Sequence, residues 1–209
     1  MKTAVGIIWY NDPSILRLIP QLNTDYVFVI DGKFPWNDCG KDNYSNKDLL
    51  GGFTGKNLII TDCPKDEVTK RNEYLKQCEV FNITYLIVMD SEEYLIEYDW
   101  DAFWNDVKDL PTGIYGIPFC RNYPQESFTA MAKLIVNPKE FEYYKCHTLI
   151  KHRPTNRIID LNSIELMIST NLHITTDDKL RSKTYLEELE AYHSKLRPYE
   201  TQIKRELGF

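Results

Sequence analysis

The feature that most constrains the fold of this 209-residue chain is an apolar run that ends in a group of acids. Residues 84–89, Thr-Tyr-Leu-Ile-Val-Met, favour β structure and lead directly to Asp90, Glu92 and Glu93. An uninterrupted apolar run of this length predicts a buried strand, as in parallel sheets. In open α/β sheets the ligand crevice lies beside the carboxyl ends of the strands. These acids are therefore predicted to border a ligand crevice.

Asp90 and Glu92 are predicted to act together. They are two residues apart, so extended backbone would point both side chains to the same side. Two carboxylates in this position suit a hard divalent cation that holds a diphosphate. An acidic loop that simply follows a core strand is an equally good interpretation of these residues alone.

Short apolar runs alternate with helix-like segments through the first half of the chain. Strands are predicted at residues 4–9, 26–30, 57–60 and 84–89. A helix is predicted to begin at Asp62 or Cys63, with Pro64 in its first turn, and to end at about residue 79. Another helix is predicted at Trp100–Val107. This alternation predicts an α/β fold.

The second half of the chain has weaker signals. Residues 114–120 and 132–136 are predicted to be further strands, antiparallel at the sheet edge. Two polar helices are predicted at residues 184–196 and 199–207, separated by Pro198.

Composition excludes several classes of protein. Acidic residues number 31 against 25 basic ones, and a net charge of −6 disfavours extended contact with nucleic acid. The five cysteines are widely spaced, which favours free thiols in a reducing compartment, so a cytoplasmic protein is expected. No apolar run approaches the ~18 residues of a membrane span. Peripheral contact with a membrane stays open.

The order of motifs resembles the GT-A glycosyltransferases, particularly the large family two that uses nucleotide-sugar donors. The resemblance covers about residues 3 to 175 and implies a GT-A-like, mostly parallel open sheet with flanking helices, the nucleotide-diphospho-sugar transferase fold. It further implies a catalytic domain at residues 1–178, with residues 179–209 forming a helical extension packed on it. The motifs that carry the resemblance are Tyr10-Asn11, Asp31-Gly32, Lys70-Arg71-Asn72, Val88-Met-Asp90-Ser-Glu92-Glu93, Ala132-Lys-Leu-Ile-Val-Asn-Pro, Tyr144-Lys-Cys-His147 and Leu172-His173.

The resemblance implies roles for three donor-binding residues. Tyr10 would stack near the donor base, and Asp31 would accept hydrogen bonds from the base or ribose. Arg71 would bind the donor phosphates, because a guanidinium presents paired donors to phosphate oxygens. From the residues alone, Asp31 is equally well a turn residue before Gly32, and Arg71 a surface charge on a helix.

The resemblance also implies a metal site. Asp90, Glu92 and His173 would hold Mn²⁺ or Mg²⁺, which stabilises the negative charge that builds on the leaving diphosphate. Glu92 stands where the family most often has Asp. His173 is alternatively a structural histidine.

The general base is the weakest part of the resemblance. His147 resembles the His of the family's His-Glu pair, but Thr148 replaces the Glu. Inverting transfer needs a base that takes the proton of the acceptor hydroxyl. Glu93 and Asp160 are the candidates that remain.

Aromatic side chains have two interpretations. A platform for a sugar or base is one of them, because ring faces pack well on both. Core packing is the other, and it suits Trp100 and Trp104, which share one helical face. The aromatic residues considered for these roles are Trp9, Trp36, Phe53, Trp100 and Trp104.

The predicted function is metal-dependent transfer of a sugar, with inversion, from a nucleotide diphosphate donor to an acceptor hydroxyl. A UDP-sugar is the expected donor, and the acceptor is a glycan, a lipid-linked molecule or a protein. The alternative is a catalytically silent module of the same fold that binds a nucleotide sugar or a protein. A nucleotidyltransferase is disfavoured because no Gly-rich loop follows the first strand, and a phospho-acceptor domain because Asp12 is the only acid there.

Overall fold

The structure is a computed structural model that describes residues 1–34, 44–53, 57–121, 123, 124, 127–176 and 183–209, without the side chains of residues 183–186, 188, 189 and 193. Trp36, one of the aromatic residues considered above, lies outside the described residues. The strands are β1 Thr3–Trp9, β2 Tyr26–Asp31, β3 Leu58–Asp62, β4 Tyr85–Asp90, β5 Glu93–Tyr98, β6 Gly113–Arg121, β7 Thr129–Val136, β8 Phe141–Tyr144, β9 Cys146–His152, β10 Arg157–Asp160 and β11 Leu172–Thr176. The helices are α1 Ile15–Leu18, α2 Glu67–Phe81, α3 Trp100–Val107 and α4 Lys183–Glu206.

Eight strands form one mixed sheet in the order β3-β2-β1-β4-β7-β6-β11-β5. β1 pairs in parallel with β2 and β4, β2 with β3, and β6 with β11. β7 is antiparallel to both of its neighbours, and β5 is antiparallel to β11. Six strands therefore run in one direction, and the predicted α/β fold with a mostly parallel sheet and flanking helices is confirmed.

Two strand predictions need correction. β6 and β7 pair antiparallel as expected, but they lie inside the sheet rather than at its edge. The edge position is taken by β5, which the sequence pattern did not reveal. β5 follows β4 after only Ser91 and Glu92, although β7, β6 and β11 lie between them in the sheet order. A link this short requires the sheet to curl, so that its far edge returns toward the end of β4.

Both faces of the central strands are buried, as the apolar run of β4 predicts. Tyr85, Ile87 and Met89 join the apolar cluster that contains α1 and α3. Leu86 and Val88 join the cluster that contains the buried face of α2. Side chains alternate along a strand, so Asp90 lies on the α2 side of the sheet.

Helix α2 packs unusually close to β1. A Cβ at Gly6 would lie 2.9 Å from the ring of Tyr74, so only glycine allows this approach. The helix begins at Glu67, later than predicted, because Asp66 rather than Asp62 or Cys63 is its N-cap and accepts a hydrogen bond from the Thr69 N–H at 3.0 Å.

Strands β8, β9 and β10 form a separate antiparallel sheet, and α4 packs on it. Ile203 of α4 is buried against Cys146 and Leu149 of β9. Helix α4 continues through Pro198, which corrects the prediction of two separate helices. Proline removes one hydrogen bond and crowds the carbonyl four residues earlier, which can kink a helix without ending it.

Two further expectations bear on the chain as a whole. The predicted division between residues 178 and 179 stays a prediction, because both residues lie outside the described ones. No helix within the described ranges is long and apolar enough to cross a bilayer.

Candidate functional site

A cavity of about 360 Å³ opens beside the carboxyl ends of β1 and β4. This is the position predicted for a ligand crevice in an open α/β sheet. Its walls come from β1, β4, α2, β7 and the small sheet, and it contains Tyr10, Phe34, Glu67, Arg71, Asp90, Ser91, Glu92, Arg121, Met131, Lys133, Tyr143, His147, Thr148, Leu161 and Asn162.

Asp90 and Arg71 form a charged pair on the cavity wall. Arg71 Nη2 donates to Asp90 Oδ1 at 2.9 Å and to Glu67 Oε1 at 2.7 Å. Burial alone would lower the pKa of the Arg71 guanidinium, but Asp90, Tyr74 and Glu67 outweigh it, so the pKa is raised well above its usual value. Arg71 is therefore a fixed positive charge, and not the exposed helix charge of the alternative interpretation.

Asp90 and Glu92 both line the cavity, although for a different reason from the one predicted. Glu92 lies in the turn between β4 and β5, so the alternation of an extended strand does not apply to it. Ser91 in the same turn donates from Oγ to Asp12 Oδ2 at 3.0 Å, which ties the turn to the end of β1. The two carboxylates reach one cavity because the turn is held there.

Glu93, a predicted base candidate, is sealed in a buried ion pair. Lys133 Nζ donates to both of its carboxylate oxygens, at 2.6 and 2.8 Å. The backbone N–H of Asp90 donates to Glu93 Oε2 at 3.0 Å. Burial raises the pKa of Glu93, with the charge of Asp90 adding to the rise, while Lys133 and the Asp90 N–H oppose it. Glu93 is held where it fixes the backbone of Asp90, and it does not line the cavity.

Asp160, the other base candidate, is also bound by neighbouring groups of the protein. Its Oδ1 accepts from the Asn162 N–H at 3.0 Å, and its Oδ2 accepts from Lys204 Nζ at 2.6 Å. It therefore caps the short 3₁₀ turn Leu161–Ser163 and anchors α4. Leu161 and Asn162 line the cavity, and Asp160 does not.

His173 does not line the cavity that contains Asp90 and Glu92, the other two predicted metal ligands. It lies on β11, where its Nδ1 is 3.2 Å from Glu97 Oε2 on β5 and its ring is 4.5 Å from the ring of Phe128. Among the described residues no group of three His, Cys, Asp or Glu side chains is arranged to hold a metal ion. Asp90 and Glu92 still fit a cation of the Mg²⁺ type, which proteins bind through one or two carboxylates together with substrate phosphates.

The predicted nucleotide-binding residues separate in the structure. Tyr10 lines the cavity, but Asp31 is fully buried and does not. Both Asp31 oxygens accept from the Ser45 N–H, at 3.1 and 3.2 Å. Ser45 Oγ in turn accepts from the Asn11 N–H at 2.7 Å. Asp31 thus joins the ends of β1 and β2 through Ser45.

A buried lysine beneath this junction was missed by the sequence interpretation. Lys70 is fully buried, donates to the carbonyl of Gly32 and lies 3.5 Å from the centre of the Phe34 ring. Burial lowers the pKa of Lys70 to about 7, although Asp31, Cys63 and Glu67 act in the opposite direction. The signal was present, because Lys70 belongs to the Lys70-Arg71-Asn72 motif on which the resemblance rests.

His147 gains two carboxylate partners that its neighbours in the sequence do not provide. Its Nδ1 lies 3.3 Å from Glu200 Oε1 of α4 and 3.6 Å from Glu67 Oε2 of α2. Burial alone would lower the pKa of His147, but Glu67 and Glu200 outweigh both burial and Arg71, so the net pKa is raised. Thr148 stands where the resemblance implies Glu, and Glu200 supplies a carboxylate from a remote helix instead.

Most of the aromatic residues considered as a platform are core residues. Trp9 and Trp100 are buried in the cluster of α1 and α3, and Trp104 and Phe53 pack against it. The aromatic rings that do line the cavity are those of Tyr10, Phe34 and Tyr143.

Comparisons with known proteins give a likeness of fold. Neither the models of known protein families nor the curated proteins contain a match. Among solved structures, residues 1–349 of S. aureus TarS in complex with UDP-GlcNAc match at 15% identity and a TM-score of 0.55, over 85% of this chain and 58% of that one. The same TarS segment in complex with UDP matches at 19% identity and a TM-score of 0.45, over 59% of this chain and 37% of that one.

A further structure of S. aureus TarS matches at 19% identity and a TM-score of 0.45, over 59% of this chain and 22% of that one. The chain thus spans between 22% and 58% of the length of these TarS chains. At these identities the likeness concerns the fold alone. It agrees with the mostly parallel α/β architecture of a nucleotide-sugar transferase fold.

Proposed function

We propose that this protein is a glycosyltransferase that moves a sugar from a nucleotide diphosphate donor, a UDP-sugar, to an acceptor hydroxyl with inversion. The observation that carries the proposal is one cavity at the ends of β1 and β4, in which two carboxylates lie beside a fixed guanidinium. The fold shared with TarS in its UDP-GlcNAc complex supports the choice of donor.

The described residues suggest a division of labour. Tyr10 offers a ring for the uracil base, and Arg71 offers a permanent positive charge to the phosphates. Asp31 shapes the site indirectly, because its carboxylate positions Ser45, which binds the backbone at Asn11. The acceptor is a glycan, a lipid-linked molecule or a protein.

We propose that Asp90 and Glu92 hold Mn²⁺ or Mg²⁺ when the donor binds. Such a cation would stabilise the negative charge that develops on the leaving diphosphate. Arg71 keeps one Asp90 oxygen oriented, at a distance of 2.9 Å. Glu93 and Lys133 fix the Asp90 backbone from behind, so the carboxylate is positioned before any ligand arrives. We do not assign His173 to this site, because its Nδ1 faces Glu97.

We further propose a cytoplasmic location. Among the described residues, Cys63, Cys78 and Cys146 are buried free thiols, which suits a reducing compartment.

The direct test is the binding of UDP or UDP-sugars with and without Mn²⁺. UDP at 100 times its dissociation constant should stabilise the protein by about 2.7 kcal/mol, which thermal unfolding detects as a higher melting temperature. A melting temperature that no nucleotide diphosphate raises, with Mn²⁺ or Mg²⁺ present at saturating concentration, would refute the proposed function.

The Asp90→Asn variant tests the carboxylate at the centre of the site. It removes a charge and leaves a side chain of the same size, so we expect metal-dependent UDP affinity to fall about 100-fold or more while the fold persists. Titration calorimetry with Mn²⁺ present measures the change. Asp62→Asn is the matched control, because Asp62 also ends a parallel strand, pairs with Lys47 and does not line the cavity. Equal UDP affinity in the two variants would remove Asp90 from the site.

A catalytically silent binding module is the second candidate function. Both predicted bases are held in ion pairs, Glu93 with Lys133 and Asp160 with Lys204, and this arrangement favours binding without turnover. Slow release of free sugar from a bound UDP-sugar would exclude the silent module. Binding of the donor without hydrolysis or transfer, across a panel of acceptors, would exclude the enzyme.

A further inference from the structure

The C-terminal helix α4 reaches the wall of the cavity at three neighbouring points. Glu200 faces the ring of His147, Ile203 is buried against Leu149, and Lys204 pairs with Asp160 at 2.6 Å. His147 lines the cavity, and so do Leu161 and Asn162 directly after Asp160. The helix therefore holds two separate parts of the cavity wall in place.

Carboxylates of two helices approach the same nitrogen of His147, Nδ1. Glu67 is shared, because its Oε1 accepts from Arg71 Nη2 at 2.7 Å while its Oε2 is 3.6 Å from His147 Nδ1. Glu200 Oε1 is nearer to His147 Nδ1, at 3.3 Å. Glu200 is thus the closer of the two carboxylates that favour a charged imidazolium ring.

Two other cations of the cavity, Arg71 and Lys133, are balanced by acids, and a third, Arg121, also lines it. Arg71 contacts Asp90 and Glu67, and Lys133 contacts both oxygens of Glu93. A diphosphate that binds beside Asp90 and Glu92 gains from each further charged hydrogen-bond donor at the wall. A charged His147 adds such a donor from β9 of the small sheet.

We propose that Glu200 is a positioning residue that holds His147 as a charged group on the cavity wall, where it binds the diphosphate of the donor. This inference rests on the proposed function for the identity of the ligand. Helix α4 then contributes to donor binding through Glu200. That residue provides the carboxylate that Thr148 lacks.

The proposal has a pH dependence with a defined sign. The groups that face His147 are Glu67 and Arg71 of α2 and Glu200 of α4, with Tyr192 of α4 close to the same carboxylates. The pKa of His147 is raised, so the charged ring persists to higher pH than in a free histidine. Diphosphate affinity should be highest below the His147 pKa and fall as the pH rises through it. Loss of Glu200 should shift that fall to lower pH.

The test compares Glu200→Gln with Glu190→Gln. Glu190 is an exposed glutamate of the same helix that pairs with Arg197, which makes its variant the matched control. Calorimetry with UDP, inorganic pyrophosphate and uridine as probes separates the phosphates from the base. We expect Glu200→Gln to weaken UDP and pyrophosphate binding about tenfold and to leave uridine binding unchanged, since only the phosphates lose a charge-assisted hydrogen bond.

Two further measurements separate positioning from general damage. In ¹³C-histidine NMR, with the His147 signal assigned from the His147→Asn variant, Glu200→Gln should move the titration midpoint of that signal to lower pH. In the His147→Asn background, adding Glu200→Gln should cause no further loss of pyrophosphate affinity, because the two residues act through one interaction.

The outcomes distinguish this inference from the proposed function. Pyrophosphate affinity that is equal in Glu200→Gln and Glu190→Gln would overturn the inference even where UDP binds. An equal loss of UDP and uridine affinity would also overturn it, since that pattern indicates a loosened helix. Pyrophosphate binding that depends on Glu200, in a protein that no nucleotide diphosphate stabilises, would keep the anion site and refute the proposed function.

Discussion

Two walls of the cavity have different origins. The first wall comes from β1, β4 and α2, and the second from the small sheet and the turn that follows it. The first wall includes Tyr10, Arg71, Asp90 and Glu92, and the second includes Tyr143, His147, Leu161 and Asn162. The first wall carries the carboxylates that can meet a cation, whereas the second closes the cavity and adds a histidine.

The two walls also differ in what holds them. Asp90 stands beside Ile8 in the parallel register of β1 and β4, so the backbone pairing of the main sheet places it. His147 stands on β9, whose outer face is covered by Ile203 of α4. The first wall therefore depends on the central sheet, and the second depends on the docking of a remote helix. We expect damage to the second wall to be local and damage to the first to be global.

The largest expected effect comes from Lys133→Met, which removes the ion pair behind the first wall. It leaves the buried carboxylate of Glu93 without a cation, so we expect the free energy of unfolding to fall by about 3–5 kcal/mol. Urea unfolding measures this free energy. Lys76→Met, at an exposed lysine of α2, should change stability by less than about 0.5 kcal/mol.

The same variant makes a signed prediction for pH. Burial already raises the pKa of Glu93, and removing Lys133 raises it further. The folded protein then binds a proton that the unfolded chain releases, so the stability of Lys133→Met should fall as the pH rises from 5 to 8. Adding Glu93→Gln should recover more than half of the loss at pH 8. A stability loss that the second substitution does not reduce would contradict the buried pair.

An intermediate effect is expected from Ile203→Ala, which weakens the packing of α4 on the second wall. The substitution leaves a cavity between α4 and β9, so we expect a loss of about 2–3 kcal/mol. Amide hydrogen exchange should accelerate in α4 and β9 and stay unchanged in β1 and β4. Tyr199→Ala, at an exposed position of the same helix, is the control and should change little. Faster exchange in β1 and β4 would mean that the two walls unfold together.

The smallest expected effect concerns Lys70, beneath the end of β2. Burial lowers its pKa to about 7, whereas an unfolded lysine has a pKa of about 10.4. Between these values the unfolded chain binds more protons, so Lys70 makes stability rise with pH by on the order of 1 kcal/mol per pH unit. Urea unfolding of the wild type and of Lys70→Met at pH 7.5 and 9 should therefore show a steeper rise for the wild type. Parallel changes in the two proteins would show that Lys70 titrates normally.

Local signals were sufficient for the central part of the fold. The four strands β1 to β4 and helix α3 were predicted within one or two residues, because buried parallel strands are continuous apolar runs and α3 has a clear apolar face. Strand β5 was missed because its sequence, Glu-Tyr-Leu-Ile-Glu-Tyr, follows the acids of β4 without a turn signal such as Gly or Pro. The small sheet was missed because its strands are short and mixed in polarity.

The candidate site was predicted in part. Tyr10, Arg71, Asp90 and Glu92 come together in one cavity, since the ends of parallel strands meet at the same sheet edge. Asp31 is buried away from that cavity, and neither His173 nor Asp160 lines it. The position of a residue at a strand end predicts where its backbone lies. It does not predict whether its side chain is already bound by another part of the protein.

The sequence by itself determined the buried parallel strands of the first half and the presence of acids at the carboxyl end of β4. Only the tertiary structure decided that Asp90 faces the cavity while Glu93 is neutralised by Lys133, and that His147 receives its carboxylate from Glu200. The physical reason is the distance along the chain over which each kind of interaction acts. Strand formation and helix capping depend on neighbours within a few residues, whereas burial and ion pairing depend on side chains that only chain folding brings together.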